Sequence, residues 1–211
     1  HCLTMKGLLL TLSVTLLVSL SLQFDLKTLQ RLDDGKTQMA PPVWPLQWNA
    51  TLIKVGNETN PQQITWTKFY YDWTISKGGA SRFDFYPGYL PLNLQWQANF
   101  IILFNNFAIY HVYPLTGKCE IRTCSLPSIS PNWLQTTTYQ GTYMFRGLPA
   151  DLFMFGPELD YIQYWQRHND QLPMRSTNQA NDPGATDYVD VVLGPQDPNL
   201  FAIPSYCPPC N

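Results

Sequence analysis

The 211-residue chain has few charged residues and few histidines, and these shortages exclude whole classes of function. Only 13% of the residues are charged, the net charge is -2, and no basic cluster is present. Proteins that bind nucleic acid concentrate lysine and arginine on one surface. The sequence therefore predicts no nucleic-acid partner.

Motifs of the common catalytic and metal sites are also missing. The chain contains no G-x-S-x-G, no H-E-x-x-H and no glycine-rich phosphate loop. His111 lies in a strand pattern and His168 in a polar turn, and neither has the nucleophile or the third partner of a catalytic triad. EF-hand spacing and acidic runs are absent as well. We predict no catalytic residue, metal or cofactor, and an undetected hydrolase is the alternative.

One short apolar run lies near the start of the chain. Met5 and Lys6 are followed by apolar residues 7–20, and Ser19 and Ser21 are small. This order is typical of a secretory signal peptide. The run is shorter than the roughly 20 residues that a membrane-spanning helix needs. We therefore predict residues 1–21 to be leader plus signal peptide, and the mature protein to be secreted or luminal without a transmembrane anchor.

Glycosylation and cysteine usage agree with this route. Asn49 and Asn57 each begin an N-x-T sequon and are predicted glycan sites. Four cysteines follow the signal segment, an even number that suits disulfides in an exported protein better than zinc.

The pairing of these cysteines stays open among three possibilities. We expect at least one long bridge from Cys207 or Cys210 to Cys119 or Cys124, because a proline-rich end would otherwise fray. The C-P-P-C spacing is that of a redox dithiol, but the chain as given ends one residue later, with no helix to lower a thiol pKa.

Aromatic residues at 14% and 18 prolines favour a β-rich fold with many turns. Leucines 26, 29 and 32 predict a short helix in an N-terminal extension, residues 22–43. Turn signals then recur about every 8–15 residues, as in an antiparallel sheet built from hairpins. Residues 44–211 are predicted to be a single β-rich domain with a disulfide-tethered C-terminal tail.

Individual strands follow from alternation and from turn residues. Residues 69–73 and 83–85 carry aromatic side chains at every second position around a Gly78-Gly79 turn, which predicts a hairpin. Residues 100–104 are apolar on both faces and predict a fully covered strand. Residues 119–124 are interpreted as a short loop or one helical turn.

Several segments, in order, resemble one family. They are a Trp-containing first strand, FYYDW followed by SRFDF, YPLTGKC, the YQGTY...GLPADLFMF hairpin, YIQYWQRHNDQLPMR and LFAIPSYC. This pattern resembles the secreted ependymin-related proteins, which are similar in fold to the lipoprotein carriers LolA and LolB, and it covers roughly residues 44–207. The GLPADLF hairpin lacks a cysteine that many such proteins carry, so their disulfide pairing does not transfer.

The resemblance implies a mainly β (α+β) fold: a strongly curved antiparallel sheet, or half-barrel, with a few short helices covering its concave face around an apolar cavity. It also implies binding of lipids, acyl chains or other hydrophobic ligands, and it supplies no catalytic residues. The side chains expected to point inward and bind the ligand are Phe69, Tyr71, Trp73, Phe83, Phe85, Phe100, Ile102, Phe104, Tyr143, Phe145, Phe153 and Phe155.

Two functions remain open at this point. The first is a secreted glycoprotein that carries a hydrophobic small molecule or lipid in the cavity. The second is an extracellular structural or adhesive subunit, whose aromatic residues form only a core and whose partners are other proteins. A curved sheet can either fill its interior with side chains or leave room for a ligand, and sequence does not separate these cases.

Overall fold

In a computed structural model, the residues described are 30–32, 39–55, 65–75, 77–86, 98, 100–155, 162–178 and 184–210. They form a single antiparallel sheet, so the mainly β prediction is confirmed. The strands are β1 (Gln47–Val55), β2 (Thr65–Asp72), β3 (Ala80–Tyr86), β4 (Phe100–Asn105), β5 (Ala108–Tyr113), β6 (Lys118–Thr123), β7 (Thr138–Phe145), β8 (Leu148–Phe155), β9 (Ile162–Arg167), β10 (Pro173–Asn178) and β11 (Gly184–Leu193).

The strand order is β6-β5-β4-β3-β2-β1-β11-β10-β9-β8-β7. We call β2 to β6, which meander outward on one side of β1, the first arm. We call β7 to β11, which return from the opposite edge to pair with β1, the second arm. The crossing segment, residues 124–137, joins the two outer edges of the sheet.

The two faces of the sheet are distinguished by strand register. We call the face that carries Trp48, Phe69 and Tyr71 the front face. Trp48 lies opposite Tyr71, and Phe69 lies opposite both Ala50 and Phe83, so these side chains project together. The opposite side is the back face.

Trp44 shows that the front face lies inside the curve of the sheet. Its ring centroid is 5.7 Å from that of Tyr71 on β2, and its Nε1 donates a hydrogen bond of 3.2 Å to the hydroxyl oxygen of Tyr164 on β9. Four strand spacings separate β2 from β9, about 19 Å in a flat sheet. One indole can contact both only because the sheet bends around it.

The predicted helices over the concave face are wrong for the described residues. Irregular chain covers that face instead, and the one helix described is a short 3₁₀ helix at Pro198–Phe201. The crossing segment contains Pro127 and Pro131, which lack the N–H donor that a continuous helix requires. No helix within the described part of the chain has the length and apolarity needed to span a bilayer.

The C-terminal tail packs on the back face of the first arm. Phe201 is buried against back-face residues of β4 and β5, its carbonyl accepts a hydrogen bond from Asn105, and the Leu200 carbonyl accepts one from Arg82. Disulfides join Cys119 to Cys207 and Cys124 to Cys210. The predicted long bridge is therefore confirmed, and a second one lies beside it.

Three local features differ from the sequence reading. Residues 119–123 belong to strand β6 rather than to a loop, since they pair with β5. Residues 30–32, the end of the segment predicted to be a short helix, are extended, and Arg31 bridges to Tyr143 at the edge of β7, whereas Leu26 and Leu29 lie outside the described residues. Strand β4 is buried on its back face only, at Ile101 and Leu103, whereas the alternating front-face positions keep partial exposure.

The turn between β2 and β3 has the geometry predicted for it. Gly78 and Gly79 have φ values of 84° and 70°, which glycine adopts without steric cost. A Cβ atom on Gly79 would also lie 2.3 Å from the indole of Trp73. Glycine is required here for the backbone conformation and for the ring that packs on it.

Candidate ligand site on the front face

The centre of the front face is a filled aromatic core. Trp48, Phe69, Tyr71, Phe153 and Tyr164 are each at most 1% exposed. Neighbouring rings meet edge-on or tilted, with Trp48 and Phe69 centroids 4.9 Å apart, which is the geometry that the ring quadrupoles favour. No ligand can enter between these side chains without displacing them.

Trp44 and the crossing segment close this core from above. Leu134 is fully buried in it, Trp133 packs edge-on to Trp44 at 5.3 Å, and the Ile129 carbonyl accepts a hydrogen bond of 2.8 Å from the Tyr71 hydroxyl. The backbone N–H of Trp44 donates a hydrogen bond to the Pro131 carbonyl. These contacts hold the crossing segment across β1, β2 and β9.

Burial also changes the acid–base behaviour of the tyrosines in this region. Desolvation raises the pKa of Tyr164 well above its usual range, and the neighbouring Tyr188 adds to the effect. Desolvation likewise raises the pKa of Tyr188, although its hydrogen bond with Ser176 opposes the shift. Both groups are neutral hydroxyls at physiological pH, so they serve as hydrogen-bonding groups in an apolar wall.

A cavity of about 390 Å³ lies beside this core. Trp44, Ile129 and Trp133 form its inner wall. Its outer wall comes from β1, β9, β10 and β11, at the end of the strands that we call the upper end; the residues there include Lys54, Ile162, Ser176, Thr186 and Tyr188. The lining is mostly apolar or hydroxyl-bearing and carries one cationic side chain. Its volume falls within the usual range of small-molecule sites, about 300–1,000 Å³.

The front face of the first arm carries a second apolar surface, which we call the aromatic ledge. It consists of Phe85, Phe100, Ile102, Phe104, Ile109 and Tyr113, all partly exposed. Phe100 is central, with ring centroids 5.4 Å from Phe85 and 5.2 Å from Tyr113. The tail covers the back face of the same strands, whereas the side chains of the ledge keep partial exposure.

His111 borders the ledge as a neutral imidazole. Arg122 donates a hydrogen bond of 3.0 Å to its Nδ1, and Phe100 packs edge-on to its ring at 4.9 Å. Desolvation lowers the pKa of His111, the Arg122 guanidinium lowers it further, and Glu120 opposes both. A histidine that accepts from arginine is positioned to donate from Nε2.

His168 has a carboxylate partner. Its Nδ1 lies 2.9 Å from Oδ1 of Asp151, which is fully buried and also accepts a hydrogen bond from the Thr142 hydroxyl. The hydroxyl is therefore bonded to the carboxylate rather than to the imidazole, which differs from the nucleophile–histidine–carboxylate order of a triad.

Ten of the twelve predicted ligand-binding residues share the front face, but their exposure differs. Phe69, Tyr71 and Phe153 are buried in the central core, and Phe155 is exposed at the upper end of β8. The partly exposed members are Trp73, Phe83, Phe85, Phe100, Ile102 and Phe104. Only this group and Phe155 are accessible to a ligand.

Tyr143 and Phe145 lie on the back face instead. A β-bulge between Tyr139 and Gly141 shifts the register of β7, so the residues that follow it change sides. Phe145 stacks on Trp165 at 5.0 Å in a separate back-face cluster. The structure thus does not bring these two residues together with the other ten.

The structure shows how the cysteines are paired, but it does not test the two glycosylation sites. Cys207 bonds to Cys119 and Cys210 bonds to Cys124, so the two cysteines of the C-P-P-C sequence do not pair with each other. Asn49 is half-buried, and its amide donates a hydrogen bond of 3.1 Å to Gln196. Asn57 lies outside the described residues, and glycosylation at both positions stays a prediction.

The cavity walls include residues that strand patterns did not single out. Trp44 and Trp133 belong to irregular segments, where alternation gives no information. One signal was present: both tryptophans lie within two residues of a proline, in APPVWP and SPNWL. A tryptophan in a segment that cannot be a strand or helix still buries a large apolar area, so it must pack on another element.

No protein-family model matches the sequence, and no curated protein matches it significantly. Solved structures to which the chain is similar include a domain described as an outer membrane lipoprotein-sorting protein from Vibrio parahaemolyticus, at 9% identity and a TM-score of 0.40, covering 74% of this chain and 88% of that one. A DUF1329 family protein from Desulfovibrio piger has 10% identity, a TM-score of 0.37 and coverage of 70% and 85%.

A LolA superfamily protein from Nitrosomonas europaea has 9% identity, a TM-score of 0.34 and coverage of 78% of this chain and 92% of that one. A LolA superfamily structure is thus among the solved structures that this chain resembles, as the sequence predicts. The link to ependymin-related proteins stays a prediction.

Proposed function

We propose that this protein is a secreted carrier that binds a hydrophobic molecule with an acyl-like chain at the upper end of its front face, without catalysis. The observation that carries the proposal is the cavity walled by Trp44, Ile129 and Trp133, since it lies on the inside of the curve and is not filled by side chains. The aromatic ledge offers a further apolar surface on the same face.

The energetics suit reversible binding. About eight buried methylene groups, at about 0.8 kcal/mol each, contribute roughly 6 kcal/mol. By itself that corresponds to a dissociation constant in the range of tens of micromolar. Contacts of the ligand head with the hydroxyls of Ser176 and Thr186, or with the ammonium of Lys54, would add to this, since all three line the cavity.

Two disulfides favour an oxidising compartment, which supports the proposal that the protein works outside the cytosol. A carrier in that setting needs a rigid scaffold with one accessible apolar surface. In the first arm the tail covers the back face, and the ledge on the front face keeps partly exposed apolar side chains, which meets this requirement.

Fluorescence quenching tests the proposal at the predicted place. A long-chain fatty acid brominated in mid-chain quenches nearby tryptophan, so we expect saturable quenching of the wild-type protein. Trp133→Phe should remove part of the quenching, because Trp133 lines the cavity together with Trp44, whereas Trp165→Phe should leave the quenching unchanged, because Trp165 lies on the back face.

Quenching that does not saturate, or that is lost equally in both variants, would argue against this site. The alternative, a structural or adhesive subunit without a ligand, predicts no saturable quenching in any variant. Screening the same protein against generic esters and glycosides checks the absence of catalysis, and any turnover above background would contradict that part of the proposal.

A further inference from the structure

A second cavity, also about 390 Å³, lies at the opposite end of the strands from the ligand site. Its walls come from the β7–β8 hairpin, the facing ends of β9 and β10, and the middle of β11. Phe145, Leu148 and Met174 supply apolar surface there, and Arg146 and Arg167 supply two guanidinium groups. The front-face site does not use any of these side chains.

Arg146 is held in place by a buried carboxylate. Its Nη2 lies 2.6 Å from Oδ2 of Asp187, and its guanidinium carbon lies 5.4 Å from the ring centroid of Phe145. Arg175 also bonds to Asp187, at 2.6 Å and 3.0 Å, so two arginines share one aspartate. This arrangement orients Arg146 and leaves most of its N–H donors outside the ion pair.

Arg167 reaches the same cavity from the end of β9. Its Nη2 lies 3.0 Å from Oδ2 of Asp170, three residues further along the chain, and both side chains are well exposed. A guanidinium has five donors in a planar fork, so this contact also leaves donors for a second partner. Arg146 and Arg167 therefore line one cavity, and each keeps N–H donors outside its ion pair. Two such guanidiniums suit an oxyanion.

The backbone around this cavity is unusual as well. Arg146 and Asp190, both lining residues, have φ values of 51° and 52°, and Gln171, whose N–H bonds to the Arg167 carbonyl, has 58°. At Arg146 the positive φ belongs to the two-residue turn of the β7–β8 hairpin, in which Gly147 also has a φ of 77°, so it fixes how Arg146 leaves the backbone and does not by itself mark a binding site. Asp190 also lies in a β-bulge of β11, a device that redirects side chains beside binding sites.

The charges indicate what kind of head group fits. Arg146, Arg175 and Asp187 together keep one positive charge, Arg167 is balanced by Asp170, and Asp190 adds one negative charge to the wall. The region is therefore close to neutral overall. It suits a small oxyanion attached to an apolar body, and it disfavours polyanions.

We propose that this cavity is a second binding site, for a ligand that carries a carboxylate or phosphate on an apolar group. The oxyanion binds between Arg146 and Arg167, and the apolar group packs on Phe145, Leu148 and Met174. The two cavities lie at opposite ends of the strands and have Tyr188 in common among their lining residues, but the charged and apolar groups named here line the second cavity, so either proposal can fail without the other.

The test uses the full chain and small rigid probes. Benzoate and phenyl phosphate are titrated separately, with benzyl alcohol as the uncharged probe and inorganic phosphate as the head group alone. The readout is the methyl NMR signal of Met174, assigned with Met174→Leu. We expect a saturable shift with at least one of the two charged aromatic probes, and the tighter of them identifies the head group.

Variants locate the effect. Arg167→Gln should weaken binding at least about tenfold by removing a charge-assisted contact, and Asp190→Asn should tighten it by removing a like charge. Lys118→Gln, on exposed β6, is the matched control and should change nothing. The absence of a saturable shift with both charged probes, equal binding of benzyl alcohol, or an unchanged affinity in Arg167→Gln would each overturn the proposal.

Discussion

The centre of the front face and the aromatic ledge are built from the same residue types and differ in what lies over them. Phe69 and Phe100 both project from the front face in aromatic surroundings, yet Phe69 is 1% exposed and Phe100 is only partly buried. Trp44 and the crossing segment cover the first residue and not the second. The comparison shows that aromatic alternation marks a face, while the covering segment decides whether that face becomes closed core or stays accessible.

A matched pair of side-chain truncations, one in the centre of the front face and one on the ledge, tests this difference with the largest expected effect. Phe69→Ala removes a buried ring from a closed core and should lower the free energy of unfolding by about 3–5 kcal/mol. Phe100→Ala removes a partly exposed ring and should cost clearly less, about 1 kcal/mol. Denaturant unfolding measures both. Equal losses would show that the ledge is as closed as the centre.

The next effect concerns the back face that supports the ledge. Replacing Cys207 and Cys210 together by serine opens two loops whose ends are 88 and 86 residues apart. Loss of such cross-links should destabilise the protein by about 2–5 kcal/mol. Hydrogen exchange should then speed up in β4 and β5, which the tail covers, more than in β1 and β2. Uniform acceleration across the sheet would contradict a tail that acts locally.

A smaller effect tests how the crossing segment is held. Tyr71→Phe deletes the hydroxyl that donates to the Ile129 carbonyl. The expected loss is about 0.5–1.5 kcal/mol, the usual value of one hydrogen bond. Thermal unfolding gives the magnitude, with Tyr113→Phe on the ledge as the control. If both variants lose the same stability, the hydroxyl does not secure the segment over the core.

The smallest effect is the pH response of the ledge. The pKa of His111 is lowered in the folded protein, so below about pH 6.5 the unfolded chain binds the proton more readily and stability falls. Above that pH the contribution is fully present. In His111→Gln, the loss of stability between pH 7 and pH 5 should be slightly smaller than in the wild type. A larger loss in the variant would mean that the sign of the shift is wrong.

The sequence predicted the sheet and its hairpins because alternation and turn residues act locally. The turn at Gly78-Gly79 and the front-face side chains of β2 and β3 follow from that pattern alone. What sequence could not give was the path of irregular chain. The crossing segment packs over the centre of the front face, and the bulge in β7 moves Tyr143 and Phe145 to the back face. Both features depend on tertiary packing.

The wrong prediction for strand β4, that both of its faces are buried, points to an accessible apolar surface. Its apolar residues on both faces predicted complete burial, but the tail covers Ile101 and Leu103 while Phe100, Ile102 and Phe104 stay partly exposed. These three side chains keep partial exposure, and an apolar patch that stays accessible favours a role in binding. The disulfide-bonded tail explains why the back face of β4 is buried, and the front face of β4 belongs to the aromatic ledge.

Native mass spectrometry of the purified protein tests the central claim most directly. Thr186→Phe should fill the cavity from the front face, and Ala185→Phe, one residue away on the opposite face, is its control. We predict that the wild type and Ala185→Phe carry a lipid-like species at one molecule per chain, and that Thr186→Phe has lost it. A wild type without any bound species, or the same adduct in all three proteins, would contradict the account.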